Sequence, residues 1–208
     1  MTSLSLLTPE QKEILVGSLL GDANLQTNTA GRTWRLRMIQ KNKDYLFYKY
    51  EIFKNLCGSP PIKDEIFDKR TGKTYERWYF NSLVLPCLRH YGNLFYAFDM
   101  KSSRWIKHVP YKLSPLLTPR AIAFWYMDDG ALKWKGHSNA VRFCTDSFSI
   151  DEVNRLRFIL KEKFDLETTI QRKNNKPRIS INEKHSQIFH ALIFSYLHPS
   201  MKYKLSDL

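Results

Sequence analysis

The sequence predicts an α+β fold built from two pseudo-symmetric halves, each with the element order αββαββα. Two observations support this prediction: two similar apolar segments, and a similar order of strand and helix patterns after each. The predicted halves are residues 1–112 and 113–208. We expect the two apolar helices to pack at the centre and two antiparallel sheets to form a saddle around them.

The two apolar segments share a layout. "LTPEQKEILVGSLLGDANL" covers residues 7–25, and "LTPRAIAFWYMDDGAL" covers residues 117–132. Thr8 and Thr118 suit helix N-caps, the prolines after them suit the first helical position, and Gln11 completes a capping box. The pattern predicts two helices that each end on an aspartate, the second shorter by about one turn of about 3.6 residues.

An amphipathic strand and then an amphipathic helix follow each apolar segment. After the first come "TWRLRMIQK" and "KDYLFYKYEIFKNLCG", and after the second come "AVRFCTDSF" and "SIDEVNRLRFILKEKF". Alternating residues predict further strands at 73–80, 168–172 and 178–182, the last two joined by the turn "KNNKP". Apolar helices near 83–96 and 188–197 are expected to close the two halves.

Asp22 and Asp129 stand at the ends of the two predicted helices, where the backbone dipole is negative and a carboxylate is unfavourable. A divalent cation shared between them would offset that cost, and Mg²⁺ prefers hard oxygen ligands of this kind. Gly17 and Gly21, on one helical face, would let the two backbones approach closely. A single Asp here would be read as a surface turn, but the duplication favours a paired site.

The charge balance points to a polyanionic partner. The 208 residues include 33 Lys and Arg against 20 Asp and Glu, giving a formal net charge of +13. Such a protein gains affinity from each phosphate that it neutralises, although a generic basic or ribosomal-type surface would have the same composition. Three widely spaced cysteines predict neither a disulfide framework nor a zinc cluster. We expect a soluble intracellular protein that does not associate with membranes.

The segments "LVGSLLGDA" and "IAFWYMDDG" resemble the paired motifs of the LAGLIDADG homing endonucleases, and the chain is similar to their single-chain type. The resemblance extends to "QKNKDY" and "MKYKL" and covers nearly the whole length. It implies Mg²⁺ or Mn²⁺ held by Asp22 and Asp129, with the backbone carbonyls of Gly21 and Asp128 facing the metal. The catalytic residues implied by the resemblance are Asp22, Asp129, Lys107, Lys204 and Gln40.

Three positions depart from the pattern of that family. Phe124 stands where the motif has its first glycine, and Met127 replaces an earlier acidic residue. Asp146 is the apparent counterpart of Gln40, and a carboxylate facing a phosphate backbone is less favourable than an amide. These departures predict unequal use of the two DNA strands or a weakened second site.

The resemblance implies a site-specific double-stranded DNA endonuclease with a long asymmetric target. It would act as a monomer, cut across the minor groove and leave short 3′ overhangs. Family members are frequent in organellar introns, so a mitochondrion or chloroplast is expected, with intron RNA as a possible further partner. An RNA maturase, a non-cleaving DNA-binding protein of the same fold and a basic ribosomal-type protein remain as alternatives.

Recognition of DNA is expected from the sheets. Because alternate residues of a strand face one side, basic and aromatic side chains of 35–41 and 73–79 would line one face, opposite Trp34, Leu36 and Phe80. Two such faces could follow the major groove, where arginine reads guanine edges. The candidate DNA contacts are Arg35, Arg37, Lys41, Lys73, Tyr75, Arg77, Arg142, Arg172 and Arg178.

The letters "YMDD" at residues 126–129 also suggest a reverse-transcriptase active site. That motif needs a β-hairpin with apolar strands on both sides of the aspartates. "GALKWKG", which follows, is too polar and too rich in glycine for the return strand. The reverse-transcriptase interpretation would also leave Asp22 and the duplication unexplained, and we reject it.

Overall fold

The computed structural model describes residues 6–134 and 136–205. Its first half contains the predicted order αββαββα. The elements are α1 (Pro9–Leu20), β1 (Asn24–Gln26), β2 (Arg35–Gln40), α2 (Lys43–Phe53), β3 (Ile62–Asp68), β4 (Lys73–Asn81) and α3 (Arg89–Phe95). The four strands form one antiparallel sheet in the order β1-β2-β4-β3. Short 3-10 helices follow α2 at Lys54–Leu56 and precede α3 at Pro86–Leu88.

The second half repeats the order. Its elements are α4 (Pro119–Asp129), β7 (Gly130–Trp134), β8 (Ser138–Phe143), α5 (Ile150–Phe164), β9 (Thr168–Lys173), β10 (Lys176–Ile181) and α6 (Glu183–Ile193). The sheet order β7-β8-β10-β9 matches that of the first half, and all of its pairs are antiparallel. Further 3-10 helices lie at Ser114–Leu116, Phe194–Tyr196 and Pro199–Lys204. The predicted fold class is therefore confirmed.

A hairpin that the sequence pattern did not predict lies between the two halves. It consists of β5 (Tyr96–Asp99) and β6 (Arg104–Lys107), which form a separate two-stranded sheet. The hairpin is anchored by Trp105, whose ring meets Trp34 edge-on with the centroids 5.1 Å apart. Gly31 is required under this ring because a Cβ there would lie 2.8 Å from it. The alternation in "YAFDMKSSRWIK" was the available signal.

The helices α1 and α4 pack side by side at the centre, as predicted. Thr8 caps α1 through the predicted capping box with Gln11, and Thr118 caps α4. Gly17 permits the close approach, because a Cβ at that position would lie 2.1 Å from the carbonyl oxygen of Ala121. The glycine on α1 therefore sets how near the two helix axes can come.

The prediction that both helices end on an aspartate is right for α4 and wrong for α1. The first helix ends at Leu20, and Gly21 follows with φ −101° and ψ −133°, outside the helical region. Asp22 therefore lies two residues beyond the helix, whereas Asp129 is the last residue of α4. The helices have 12 and 11 residues, so the predicted difference of one turn is also wrong.

The predicted helix at 83–96 is shorter than expected. The residues before Pro86 cannot join a helix, because a proline disfavours the helical conformation of its predecessor. Leu85 is accordingly extended, with φ −126° and ψ 132°. At the other end Tyr96 already belongs to β5. The second closing helix begins earlier than predicted, since Asn182 caps it by accepting a hydrogen bond from the backbone N–H of His185.

The strand faces follow the predicted alternation. On β2, Leu36 and Met38 are buried, while Arg35 and Arg37 are half-buried on the other face. The turn between β9 and β10 contains Asn174 and Asn175, both with positive φ, a combination that is common in hairpin turns of two residues. One strand was missed: "GALKWKG" begins with β7, so its rejection as a strand was wrong. The reverse-transcriptase interpretation still fails, because the aspartates end a helix instead of joining two strands.

One continuous apolar core joins the two halves. Phe124, which departs from the family motif, is buried on α4 and stacks on Tyr48 with the ring centroids 6.2 Å apart. Tyr45 contacts the same ring from the preceding turn of α2. A helix of the first half thus packs on the central helix of the second. Within the described residues, no helix is long and apolar enough to cross a membrane.

Candidate active site

The ends of α1 and α4 bring Asp22 and Asp129 to the same end of the helix seam, and their carboxylates repel one another. Burial raises the pKa of the Asp129 carboxyl to about 7, and Asp22 and Asp128 add to that rise. Two lysines, Lys107 and Lys204, oppose it. Asp22 is the more exposed of the pair. Because like charges disfavour ionisation of the buried member, a cation between the two carboxylates would favour the ionised form of both.

Each lysine holds the end of one central helix. Lys107 Nζ donates to the carbonyl oxygens of Gly21 and Ala23, both at 2.9 Å. Lys204 Nζ donates to the carbonyl oxygens of Met127 at 2.5 Å and Asp128 at 3.0 Å. An ammonium at the C-terminal end of a helix opposes the negative end of the dipole. The lysines thus offset part of the cost that was expected to require a cation.

Burial lowers the pKa of the Lys107 and Lys204 ammonium groups. The aspartates at the site oppose this fall, but only in part. The carbonyls that the lysines contact include those of Gly21 and Asp128, which the family resemblance placed toward a metal. A carbonyl oxygen has two lone pairs, so these contacts leave one acceptor position on each oxygen. Their contact with a metal stays a prediction.

The first lysine is delivered by a strand and held by the opposite half. Lys107 ends β6, and two residues later Val109 docks on α5. The Val109 N–H donates to Glu152 Oε1 at 2.7 Å, and the Arg155 guanidinium donates to the Val109 carbonyl at 2.5 Å. Both backbone groups of Val109 are therefore fixed by the helix of the second half.

The second lysine is delivered by a 3-10 helix and is also held across the halves. Lys204 lies in the segment Pro199–Lys204, and its carbonyl accepts a hydrogen bond from the Tyr126 hydroxyl at 2.7 Å. Ser200 Oγ donates to Asn42 Oδ1, the N-cap of α2, at 3.3 Å. Gly130 makes room for the Tyr126 ring, because a Cβ there would lie 2.0 Å from it.

Gln40, at the end of β2, contacts carboxylates of both halves. Its Nε2 donates to Asp22 Oδ2 at 2.9 Å and to Asp128 Oδ1 at 3.0 Å. Both amide hydrogens are therefore used, and Oε1 remains to accept from water. Its predicted counterpart Asp146 has different contacts: it pairs with Arg178, which donates from Nε at 2.6 Å. The guanidinium lowers the pKa of Asp146, so a free carboxylate does not face the site.

Lys49 was missed by the sequence reasoning. Its side chain, 1% exposed, lies on α2, and Nζ is 2.6 Å from Oδ1 of Asp128, whose side chain is 0% exposed. Burial raises the pKa of Asp128, and the Lys49 ammonium opposes the rise. The available signal was a lysine on the buried helical face that Tyr45, Leu46 and Phe53 define. A buried lysine needs a charged partner.

The donor set suits a divalent cation that shares its coordination with other ligands. Among the described residues, no group of three or more His, Cys, Asp or Glu side chains is placed to hold a metal ion. Mg²⁺ is commonly bound by one or two carboxylates, with water and phosphate oxygens completing the shell. Asp22 and Asp129 supply two carboxylates. Burial, and after it the neighbouring carboxylates, raise the pKa of Asp129, and a cation at this position would favour its ionised form.

The basic face of the first sheet borders this site. Arg37 lies over the ring of Tyr79 at 4.3 Å, and the Lys41 ammonium lies 4.8 Å from the ring centroid of Tyr75. Arg77 instead forms an ion pair with Asp64 at 2.6 Å. Arg35 donates to Gln26 at 2.9 Å, and Lys73 is exposed.

A cavity of about 510 Å³ opens beside this face, and its lining includes Asp22, Gln40, Lys41, Tyr75, Arg77 and Lys204.

The candidate DNA contacts of the second sheet differ in exposure and in whether they are paired within the protein. Arg172 is exposed near the β9–β10 turn. Arg142 is half-buried, and its Nε is a buried atom without a hydrogen-bond partner among the described residues. Arg178 is only 14% exposed in its side chain and is paired with Asp146. None of these contacts to DNA is tested by the structure, and all remain predictions.

The fold and the site together define a class of protein: a single-chain pseudo-dimer that brings one aspartate and one lysine from each half to the end of a central helix pair. The sequence profile of the family described as "LAGLIDADG DNA endonuclease family" matches residues 12–189. The chain belongs to this family.

Individual relatives match over almost the whole chain. The DNA endonuclease I-ChuI of Chlamydomonas applanata is 44% identical, with 97% of this chain and 96% of the relative covered. The cytochrome b mRNA maturase bI2 of Saccharomyces cerevisiae is 31% identical, with 93% of this chain but 47% of the relative covered. The solved structure of the homing endonuclease I-WcaI bound to its DNA recognition sequence is 28% identical. Its TM-score is 0.89, with 98% of this chain and 89% of that chain covered.

Proposed function

We propose that this protein is a homing endonuclease that cuts both strands of a long, asymmetric DNA target by metal-dependent hydrolysis. The observation that carries the proposal is the convergence of Asp22, Asp129, Lys107 and Lys204 at one end of the seam between the halves. The 44% identity to a DNA endonuclease over 97% of the chain supports it.

The asymmetry of the proposed target is inferred from the two sheets. The two sheets are related by pseudo-symmetry but carry different side chains, so their two half-sites differ in sequence. A formal net charge of +13 supplies affinity for the phosphate backbone without sequence preference. Discrimination between bases would come from exposed residues such as Lys41, Lys73 and Arg172, since residues already paired within the protein are less free to read base edges.

Asp22 and Asp129 would hold the divalent cation, Mg²⁺ or Mn²⁺, with the carbonyls of Gly21 and Asp128 as further oxygen donors. When bound, the cation supplies a nucleophilic water near neutral pH and a charge sink for the leaving 3′-oxygen. The protein's own contribution is positioning: fixed groups aimed at developing charge stabilise a transition state without reorganising.

The other site residues have separate roles. Lys107 and Lys204, each fixed by two carbonyls, present one ammonium hydrogen each toward a phosphate. Gln40 keeps Oε1 available to orient a water beside Asp22. From the resemblance to the family, the cuts fall across the minor groove and leave short 3′ overhangs.

The test is cleavage of a randomised duplex-DNA library with Mg²⁺ or with EDTA. The wild type is compared with the double variant Asp22→Asn/Asp129→Asn and with Asp44→Asn, an exposed carboxylate in the first turn of α2. We expect double-strand cuts at one long motif with Mg²⁺ for the wild type and the control only. Sequence-selective binding without cuts would overturn the endonuclease proposal in favour of a non-cleaving DNA-binding protein.

An RNA maturase is the second candidate, because a relative 31% identical over 93% of this chain is named a cytochrome b mRNA maturase. The two functions are separated by affinities measured at one salt concentration for the intronless DNA site and for intron RNA. Tighter binding to the RNA would favour the maturase. The names of the relatives also support an origin in an organellar intron, in a mitochondrion or chloroplast. With both motifs in one chain, we propose that the protein acts as a monomer.

A further inference from the structure

The seam between the central helices has room for one side chain at the level just before the site aspartates. Gly21 and Asp128 occupy this level, one from each half. A Cβ on Gly21 would lie 2.5 Å from Cβ of Asp128 and 3.0 Å from its Oδ2. Contacts that short do not occur between real side chains. Pseudo-symmetry must therefore break here, and only the second half places a side chain in the seam.

That side chain turns into the first half. The Asp128 carboxylate is fully buried, and its Oδ1 accepts from Lys49 Nζ at 2.6 Å and from Gln40 Nε2 at 3.0 Å. Lys49 is buried on α2, where its ammonium also lies 4.4 Å from the ring centroid of Tyr45. Removing one partner of such a buried pair would leave an uncompensated charge in the core.

The side-chain amide of Gln40 also contacts the active site. Gln40 Nε2 donates its second hydrogen to Asp22 Oδ2 at 2.9 Å. A continuous chain of contacts thus runs from Lys49 through Asp128 and Gln40 to Asp22. These contacts determine which end of the Gln40 amide faces the carboxylates, since an amide oxygen there could not donate a hydrogen bond to either of them.

The second half has no equivalent chain among its described residues. Lys49 lies seven residues after the N-cap Asn42 of α2, and the residue seven after the N-cap Ser149 of α5 is Leu156. Leu156 is buried and apolar. The counterpart of Gln40, Asp146, is paired with Arg178. Asp129 therefore lacks the support that Asp22 receives.

We propose that Lys49 is a positioning residue that orients Asp22, through Asp128 and Gln40, in the first half only. The inference rests on the proposed endonuclease function and assigns the two strands unequal dependence on this lysine. Outer contacts of metal ligands are worth about 10- to 100-fold in activity. Loss of Lys49 leaves both carboxylates available to the cation and disturbs only Gln40, whose Oε1 orients the water beside Asp22. It should therefore slow one strand cut by that factor and leave the other within a few-fold.

The experiment is single-turnover cleavage of a supercoiled plasmid carrying the target, with each strand labelled. Lys49→Met is the direct variant. Because it leaves the Asp128 charge buried, it is paired with Lys49→Leu/Asp128→Ala, which removes both charges and copies Leu156. The matched control is Lys54→Met, at the end of the same helix, where the ammonium is exposed and paired with Glu51. Thermal unfolding of each variant is recorded alongside.

We expect nicked circles to accumulate for both Lys49 variants, always cut on the same strand, while wild type and Lys54→Met go directly to linear DNA. Restored thermal stability in the double variant with persistent nicking would separate positioning from folding. Equal slowing of both strands, or unchanged rates in the double variant, would overturn the inference. A wild type that makes no cut at all would instead contradict the proposed function.

Discussion

In the first half of the molecule the site lysine arrives on a β-strand, and in the second it arrives on a 3-10 helix near the end of the chain. Both ammonium groups nevertheless contact backbone carbonyls at the end of a central helix: Lys204 those of the last turn of α4, and Lys107 those of Gly21 and Ala23 just beyond α1. The aspartates differ as well: Asp22 lies beyond its helix and is exposed, while Asp129 ends its helix and is partly buried.

The difference between the halves shows that the charges at the seam are fixed more strictly than the elements that carry them. Each lysine-bearing segment is held by the second helix of the opposite half: Val109 by Glu152 and Arg155, and Ser200 by Asn42. The halves therefore support one another's sites. A change on one side of the seam is expected to reach the chemistry on the other side.

The largest expected effect tests whether exposure distinguishes the two aspartates. Asp22→Asn and Asp129→Asn should each slow cleavage of both strands by more than about 100-fold, beyond the loss of an outer contact, because each removes a carboxylate from the cation that we propose the two share. The measurement is the single-turnover rate on the target, with Asp44→Asn as control. Residual cutting by Asp22→Asn at more than a tenth of the wild-type rate, a fraction taken as a rough threshold, would show that the exposed carboxylate is dispensable.

The lysines give the next largest effect. Lys107→Met and Lys204→Met should each reduce the cleavage rate by about 100-fold, the loss typical of removing one group that stabilises developing charge. Because their segments differ, equal losses would show that only the position of the ammonium matters. The matched control is Lys112→Met, an exposed lysine in the linker. A substrate with each strand labelled shows whether each lysine affects the cleavage of one strand only. Unchanged rates in both variants would contradict a catalytic role for the two lysines.

The glycine on one side of the seam gives an intermediate effect on stability. Gly17→Ala should lower the free energy of unfolding by about 1–3 kcal/mol, because its Cβ would meet the backbone of Ala121 and overpack the seam. Gly58→Ala is the control, since its Cβ would meet the end of the Leu83 side chain, which can move. Urea unfolding measures both variants. Equal stability of the two would show that the central helices can separate at little cost.

The smallest effect concerns the ion pair of the second half. The Arg178 guanidinium lowers the pKa of Asp146 in the folded state, below its ordinary value of 3.8. The pair therefore stabilises the fold above that ordinary value, and the contribution is lost as the pH falls through the folded-state pKa. The Asp146 side chain is 40% exposed, so solvent limits the contribution to about 0.2–1 kcal/mol.

Urea unfolding of the wild type and Asp146→Asn checks this prediction across pH. The difference in unfolding free energy should be full at pH 7 and disappear in acid. Arg178→Gln should give the same loss at pH 7 if the two side chains act as a pair. A difference that persists after Asp146 is protonated would contradict the ion-pair account.

Much of the architecture could be predicted from local pattern. The duplicated Leu-Thr-Pro starts, the capping box of Gln11 and the alternation along β2 each depend on near neighbours in the chain. The β5–β6 hairpin and the early end of α1 could not be predicted in this way. The first is held by Trp105 against a distant Trp34, and the second lies where Gly21 passes close to Asp128 of the other half.

The sequence by itself determined the class of fold, the duplicated frame, the basic surface and the two aspartates at the centre, because these depend on spacing and composition. Only the tertiary structure decided which carboxylate is buried, what Lys49 pairs with, and that each half holds the lysine-bearing segment of the other. Those facts depend on contacts between residues far apart in the chain. The physical reason is that a seam too narrow for two side chains admits one, and packing decides which half provides it.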